Sequence, residues 1–538
     1  MGLFSFMRPK PERELMDAVL KVARDVAAPR IVTQGGGGGS ETRWRGASRL
    51  LRSMASWLPR LGSPSRDLNT PERKTLVARS RDAMRNHLIA RAAIYRARTS
   101  IVGTGLICRP QVDWKVLGIS EDEAERYNED LERIWSLYAD NPCECDAEAT
   151  LNHYQLQSLV LISAMVGGDV FVASPDIERP GCVFSTRLQP IETDRVCNPA
   201  GQLDTANLTD GVVSDQHGAP VGYWVSRGYP DEVTLGGQQG WDFLPAFGAE
   251  TGRRRVLHIW ADKERPGQKR GAPYLAPVLE PLQKLERYSS AELMAAVISA
   301  MFTVFLKKSS GFDGGNLPMS ALVGGQPDQI VNSGDPGDEL PPVELGEGAV
   351  VDLGVGEEPV IANPARPNAQ FDPFFTAVVK EIGAALEQPM EELLLHYSSS
   401  YSAARAAMLQ AWRFYLLRRW WLTCDFCQPS RELVMDEAVA RGLIRLPGYN
   451  DPIKRKAWLN AIWIGPAKGA MDELKEANAA KARIDAGVSN ETIETAAMTG
   501  ESWQSVIRQR SREIKQRREL DLPNAASQTA REPAPQDN

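Results

Sequence analysis

The residue types able to do chemistry are scattered in this chain. Cys424-x-x-Cys427 has the spacing of half a zinc site. No second pair lies near it in sequence, and a structural zinc takes four ligands. Cys143 and Cys145 are equally alone. Seven cysteines, an odd number at irregular spacing, give no disulfide framework, and a reducing compartment is the simplest reading. His87, His153, His217, His258 and His396 fall in no H-x-x-x-H spacing, so each reads as a structural polar residue. There is no G-x-x-x-x-G-K-[ST] phosphate loop, no G-x-S-x-G elbow and no H-E-x-x-H helix. Gly346–Gly356 is glycine-rich but departs from G-x-G-x-x-G, and its acidic neighbours would repel a pyrophosphate. Glu357-Glu358 and Glu391-Glu392 read as acidic surface. The expectation is a protein with no catalytic residues, no metal site and no cofactor, and hence one of assembly or interaction.

The elements that would position such residues are many. The chain has 538 residues, enough for roughly three or four domain-sized blocks. With 43% hydrophobic and 24% charged residues it can build a large core. Its longest apolar stretches are Ser158–Ser174, interrupted by Asp169, and the 12 residues Ala295–Leu306. A membrane span needs about 20, so none is expected. Met1–Met7 is too short for a signal-peptide core.

The net charge of −7 argues against a protein that coats DNA, but its distribution is uneven. Residues 1–70 hold twelve Lys/Arg and six Asp/Glu. Residues 309–365 hold ten acidic residues and no Lys or Arg. Arg508–Glu519 holds six basic residues and two acidic ones. Such blocks usually mark solvated surface.

Residues 1–69 read as a flexible basic segment, with a glycine run at Gly35–Gly39 and a helix-like stretch at Glu12–Ala27. Thr70-Pro71-Glu72 opens a helical pattern, and Arg73–Thr99 reads as one long helix ending near Gly103. Ser120–Tyr138 and Leu156–Val166 are further helices. Short β-like runs at Val170–Ala173, Arg187–Gln189, Gly222–Ser226 and Val256–Trp260 make 70–274 a mixed α/β block. A long helix runs from Pro281 to Lys307-Lys308, whose charges suit a helix C-terminus. A second spans Asp372–Gln388, a polar loop follows at His396–Tyr401, and Ser402–Cys424 is a third, in which the Trp420-Trp421 pair reads as helix packing. A helix capped by Ser430 and others starting at Asp451, Met471, Ser489 and Ser502 fill the rest, and 523–538 reads as a tail.

Several stretches in order resemble the portal proteins of tailed bacteriophages, the lambda-type family in particular. They are Arg79-Ser-Arg-Asp-Ala-Met-Arg-Asn86 with Ile101-Val-Gly-Thr-Gly105, and Gln268-Lys-Arg-Gly-Ala-Pro-Tyr-Leu-Ala-Pro277. Tyr401-Ser-Ala-Ala-Arg405 with Trp412-Arg413, and Trp463-Ile-Gly-Pro466 with Met471–Glu476 and Ala486-Gly487, complete the set. The resemblance runs from about Thr70 to about Arg518.

The resemblance implies an α+β portal fold: a mixed α/β wing, a long-helix stem, a small clip and a helical crown. The implied parts are the wing at 70–274, a stem helix at 275–308, an acidic clip at 309–365 and a second stem helix at 366–389. A tunnel loop at 390–401, a long helix at 402–428, a helical crown at 429–522 and the tail at 523–538 follow. A part near 345–370 would join the wing. The implied function is a ring of twelve subunits at one capsid vertex of the virion, a channel through which double-stranded DNA is packaged and ejected. Such a ring nucleates head assembly in the host cytoplasm and docks the terminase large subunit. It also meets a head–tail joining protein and the major capsid or scaffold protein. His396, Tyr397, Ser398, Ser399, Ser400 and Tyr401 would face DNA, without sequence readout. Arg405 would meet DNA or a neighbouring subunit. Asp335, Asp338, Glu339, Glu344 and Glu347 would line the clip. The alternative is an internal scaffolding or minor capsid protein without a channel.

Overall fold

The computed structural model describes residues 52–53, 56–59, 61–230, 240–300, 304–308, 357–361, 370–397, 400–469 and 472–520. The N-terminal basic segment through residue 51, the five clip acids, Ser398, Ser399 and the tail at 523–538 lie outside the described residues. The chain divides into two compact units, Met1–Leu61 and Gly62–Asn538, and the elements below belong to the second.

Besides one-turn helices, the order is α1 (Thr70–Asn86), α2 (Leu88–Ile101), β1 (Ile107–Pro110), α3 (Glu121–Ala139) and α4 (His153–Gly167). Then come β2 (Asp169–Ala173), β3 (Gln189–Ile191), β4 (Leu208–Thr209), β5 (Val212–Ser214), β6 (Pro220–Ser226), β7 (Trp241–Pro245) and β8 (Val256–Trp260). The middle holds α5 (Leu279–Ala300), β9 (Val304–Lys308), β10 (Glu357–Ile361), α6 (Phe371–Ala385), α7 (Met390–Leu394) and α8 (Tyr401–Leu422). The last part holds α9 (Gln428–Ala440), α10 (Pro452–Trp458), β11 (Ala461–Ile464), α11 (Glu473–Asp485), α12 (Glu491–Thr499) and α13 (Trp503–Glu519). The fold is α+β.

Local chemistry sets many of these boundaries. Ser120 and Glu123 form a capping box at the start of α3, and Asn152 and Gln155 form one at α4. Asp451, Asp472, Asn490 and Ser502 cap α10, α11, α12 and α13. One large core joins the alanine and isoleucine face of α2 to Trp135, Leu161, Leu282, Tyr415, Phe426 and Trp458. A smaller core around Phe171, Val212, Tyr223 and Val225 lies between the β3-β2-β8 sheet and the β4-β5-β6-β7 sheet.

Four expectations need correction. Arg73–Thr99 is two helices, because His87 adopts extended geometry (φ −94°, ψ 120°) and its Nε2–H donates to the Leu282 carbonyl at 3.0 Å. The stem helix does not reach Lys308. It ends at Ala300, and Val304–Lys308 is a strand paired antiparallel with Glu357–Ile361. Val304-Phe305-Leu306 favours an extended strand once a partner backbone is beside it. The loop at 390–401 is shorter than expected: Met390–Leu394 is helical, and Tyr401 already belongs to α8. The crown at 429–522 is not wholly helical, since β11 pairs antiparallel with β1, Ile464 opposite Ile107.

Ser430 is not an N-cap either. The helix passes from α8 through a π-helical turn at Thr423–Cys427 directly into α9. Pro429 near the start of α9 has no N–H to give and crowds the preceding turn, which such a widened turn relieves. Ser430 Oγ donates to the Phe426 carbonyl at 2.6 Å inside the helix.

Candidate functional site

The central feature is an arm that runs out along α5 and β9 and returns along β10 and α6. Tyr274, just before α5, donates its hydroxyl to the Leu386 carbonyl just after α6. Further along, Tyr288 meets Phe371 at 5.6 Å and Phe374 at 4.8 Å between ring centroids. Further still, Val304 is the register partner of Ile361 and Lys308 of Glu357. At each of these described places the two halves run antiparallel. The stretch between Lys308 and Glu357 contains Asp335, Asp338, Glu339, Glu344 and Glu347.

A buried polar cluster fixes the base of this arm. Arg270, in the segment leading to α5, donates from Nε to Asp169 Oδ2 at 2.9 Å. Its Nη1 reaches the Val196 and Asp210 carbonyls, and its Nη2 the Thr193 carbonyl and hydroxyl. Arg73 of α1 pairs with Asp210 at 2.5 Å, and His258 Nε2 lies 3.2 Å from Asp169 Oδ2. Burial pushes the Asp169 carboxyl up, but the Arg270 charge and the His258 bond outweigh it and hold it well below its usual range. All these side chains are at least nine-tenths buried, so the cluster ties elements together and offers no open face to a substrate. Gly168 and Gly271 cross here so closely that a Cβ on Gly271 would lie 2.0 Å from the Gly168 oxygen.

The loop before α8 is held at both ends. Gln388 is buried and donates to the Ala93 carbonyl at 3.1 Å. Glu392 accepts from the Tyr415 hydroxyl, which fixes α7 against α8. Leu395 then takes a left-handed conformation (φ 52°) that turns the chain outward. His396, Tyr397 and Ser400 are exposed, and the Ser400 and Ser402 hydroxyls lie 3.3 Å apart where α8 begins. Tyr401 is the first residue of α8.

Arg405, one turn further, faces a groove of about 670 Å³ between α8 and the α11–α12 pair. Its guanidinium is 3.9 Å from Glu476 of the same chain and 42% exposed. Trp412 and Arg419 line the same groove. Arg419 donates to the Ser100, Ile101 and Pro466 carbonyls at 2.9 to 3.1 Å, and burial pulls its guanidinium down to about 10. Trp420 and Trp421 differ: Trp421 receives the Arg418 guanidinium at 4.7 Å, whereas Trp420 is 62% exposed and unpacked.

Cys427 is buried and Cys424 exposed on the π-turn, so the two do not share an environment. Among the described residues no group of three His, Cys, Asp or Glu could hold a metal ion. No described helix is long and apolar enough to cross a membrane. Sequence reasoning missed the roles of Arg270 and Arg419. Arg270 sits inside the Gln268–Pro277 stretch, between Lys269 and Gly271, and Arg419 follows Arg418, so no local pattern set either apart.

Buried arginines and aromatics thus fasten the paired α5–β9 and β10–α6 segments to a mixed α/β body. Residues 51–419 match the profile of the phage portal protein, lambda family. Portal protein B of Escherichia phage lambda is similar at 27% identity over 499 residues, 89% of this chain and 90% of that protein. The portal protein of Escherichia phage N15 is similar at 28% identity over 501 residues, 91% of each. Among solved structures, the neck of a native gene transfer agent particle, computed with C12 symmetry, is similar at 15% identity and a TM-score of 0.38. It covers 71% of this chain and 93% of that chain.

The chain belongs to the lambda family of phage portal proteins. It is a phage structural protein of that family.

Proposed function

We propose that twelve copies of this chain close into a ring at one capsid vertex, and that DNA is packaged and ejected through its axial channel. The observation that carries this reading is the out-and-back arm with ten acidic residues and no Lys or Arg at 309–365. Cations on a channel wall would release counterions and hold phosphates tightly. An acidic wall repels the backbone and lets the duplex slide. Asp335, Asp338, Glu339, Glu344 and Glu347 form that wall.

The exposed residues of His396–Tyr401 touch the passing duplex through hydroxyl and aromatic groups without reading bases. Arg405, 42% exposed at its groove, serves a subunit contact rather than DNA. The ring nucleates head assembly in the host cytoplasm. It docks the terminase large subunit, the partner that consumes ATP, and later a head–tail joining protein. The major capsid or scaffold protein seats it in the shell. The chain itself does no chemistry.

Electron microscopy of the purified protein tests the ring: closed rings with a central hole are expected, and filaments or a compact dimer would count against it. Replacing the five clip acids by lysine tests the wall. The expected result is at least tenfold less nuclease-protected DNA in a packaging reaction, with unchanged rings. Packaging at the unsubstituted level would sink the sliding-wall reading.

A further inference from the structure

The basic helix α13 is not explained by an acidic channel. It carries Arg508, Arg510, Arg512, Lys515, Arg517 and Arg518, and every residue from Ile507 to Glu519 is exposed. It lies beside an acidic neighbour, since α3 holds seven Asp/Glu and two Arg. Yet only Arg508 is used there, at 2.5 Å from Glu129 and 3.3 Å from Glu125. Among the described residues, Arg510, Arg512, Lys515, Arg517 and Arg518 have no carboxylate partner.

At about 100° per residue, Arg510 and Arg517 lie about 180–200° around the helix from Arg508, on the side away from α3. Arg512 and Lys515 lie nearer the Arg508 side, about three to three and a half turns from the N-cap, and Arg518 lies between the two sets. The cations thus surround the helix. On its far side Trp503 and Val506 are half-buried in the first turns, and beyond Ile507 only Ile514 continues that face, 37% exposed, with Arg510 and Arg517 beside it. A protein groove takes a continuous apolar stripe about 100° wide, and from Arg508 onward this helix does not have one.

We propose that α13 is a phosphate-binding helix that holds the backbone of double-stranded DNA without sequence readout. From Arg508 to Arg518 it spans about 15 Å at about 1.5 Å per residue, a length over which a duplex presents about nine phosphate charges. Five of its six cations are arginines, whose planar forks match phosphate oxygens in pairs. Arg508, anchored on α3, sets the direction of the helix and leaves the other five cations for the ligand. The inference rests on the portal reading for the presence of duplex DNA, and deepens it. An acidic wall passes the duplex, and a separate basic element retains it.

The test uses the full chain and a labelled 30-base-pair duplex of random sequence, with affinity read by fluorescence anisotropy from low to moderate salt. Three proteins are compared: unsubstituted, one with Arg510, Arg512, Lys515, Arg517 and Arg518 all changed to Gln, and one with the four arginines changed to Lys. The Gln protein is expected to bind at least 30-fold more weakly at low salt. The slope of log affinity against log salt is expected to shrink by about 4, since each lost phosphate contact removes about 0.9. The Lys protein is expected to stay within threefold of the unsubstituted chain.

Equal affinity and slope for the Gln protein, or no duplex binding by the unsubstituted chain, overturns the inference. Loss of rings by microscopy with duplex affinity unchanged also overturns it, and assigns α13 to a second copy. Duplex binding through α13 by a chain that never forms rings would instead defeat the portal reading and leave this inference standing.

Discussion

Arg270 shows how much one side chain can carry without touching a ligand. It satisfies Asp169 and three backbone carbonyls at once, in a site where water cannot replace it. Removing one partner of a buried ion pair costs about 3–5 kcal/mol, because the other charge stays buried. Arg270→Ala is therefore expected to lower stability by that amount in urea unfolding. Arg270→Lys should recover less than half, since one ammonium cannot reach all the carbonyls that the guanidinium fork spans. Glu437 gives a second test, with a sign in pH. Burial pushes its carboxyl up, but hydrogen bonds from Thr186 and Ser185 prevail and bring it down to about 2. A depressed carboxyl stabilises the fold above its unfolded pKa, about 4.3, and loses that contribution as pH falls toward the folded value. Glu437→Gln is expected to cost about 2–3 kcal/mol at pH 7. The gap between the two proteins should close as pH falls from about 5 to about 2. A gap independent of pH would mean that the carboxylate charge is not what holds the Ser185–Thr186 turn.

At the scale of elements, α2, α8 and the β1–β11 pair meet at Arg419. Its guanidinium covers the carbonyls that end α2 and the Pro466 carbonyl just after β11. Gly465 leaves room for it: a Cβ there would lie 2.6 Å from Arg419 Cζ. Arg419→Ala is expected to speed amide exchange at residues 98–108 and 461–466 at least tenfold, with exchange in β2 and β8 unchanged. Uniform protection across all of them would show that the strand pair holds without the arginine. Such junctions explain what the sequence could and could not reveal. Helix caps at Asp451 and Ser502, and the Ala-rich start of α8, were legible because they depend on a few adjacent residues. The strand at Val304–Lys308 was hidden, since its partner lies about 50 residues away and its residues fit a helix stripe equally well. The same distance hid β11, whose partner β1 is over 350 residues upstream. The loop at His396–Ser400 was legible as polar punctuation. That Tyr401 begins α8, and that Arg405 faces Glu476, depends on packing that no local pattern encodes.

For the whole molecule, the question is what covers the apolar surface that the chain leaves open along its arm. The first half of α5 is occupied, with Leu282 and Leu285 buried in the core and Tyr288 against α6. Beyond it, Leu293, Met294 and Val297 are 68%, 61% and 46% exposed. Each such side chain is worth about 1.5–3 kcal/mol on full burial. A ring supplies the cover by symmetry: a head-to-tail contact sets one face of each subunit against a different face of the next, and closure repeats it around the cycle. A defect in that contact is therefore repeated at every interface, while each isolated chain scarcely feels it. Leu293→Glu with Val297→Glu is expected to leave the folded chain intact, with unchanged circular dichroism and a melting temperature within about 2 °C, as for other exposed sites. The same pair is expected to abolish rings in light scattering and microscopy. Leu293→Ala with Val297→Ala should form rings only at higher protein concentration. Normal rings from the Glu pair would mean that this face of α5 is not a subunit contact. The contact would then fall to the exposed face of α8, where Leu409, Leu416 and Trp420 line up at helical spacing and are 41%, 43% and 62% exposed.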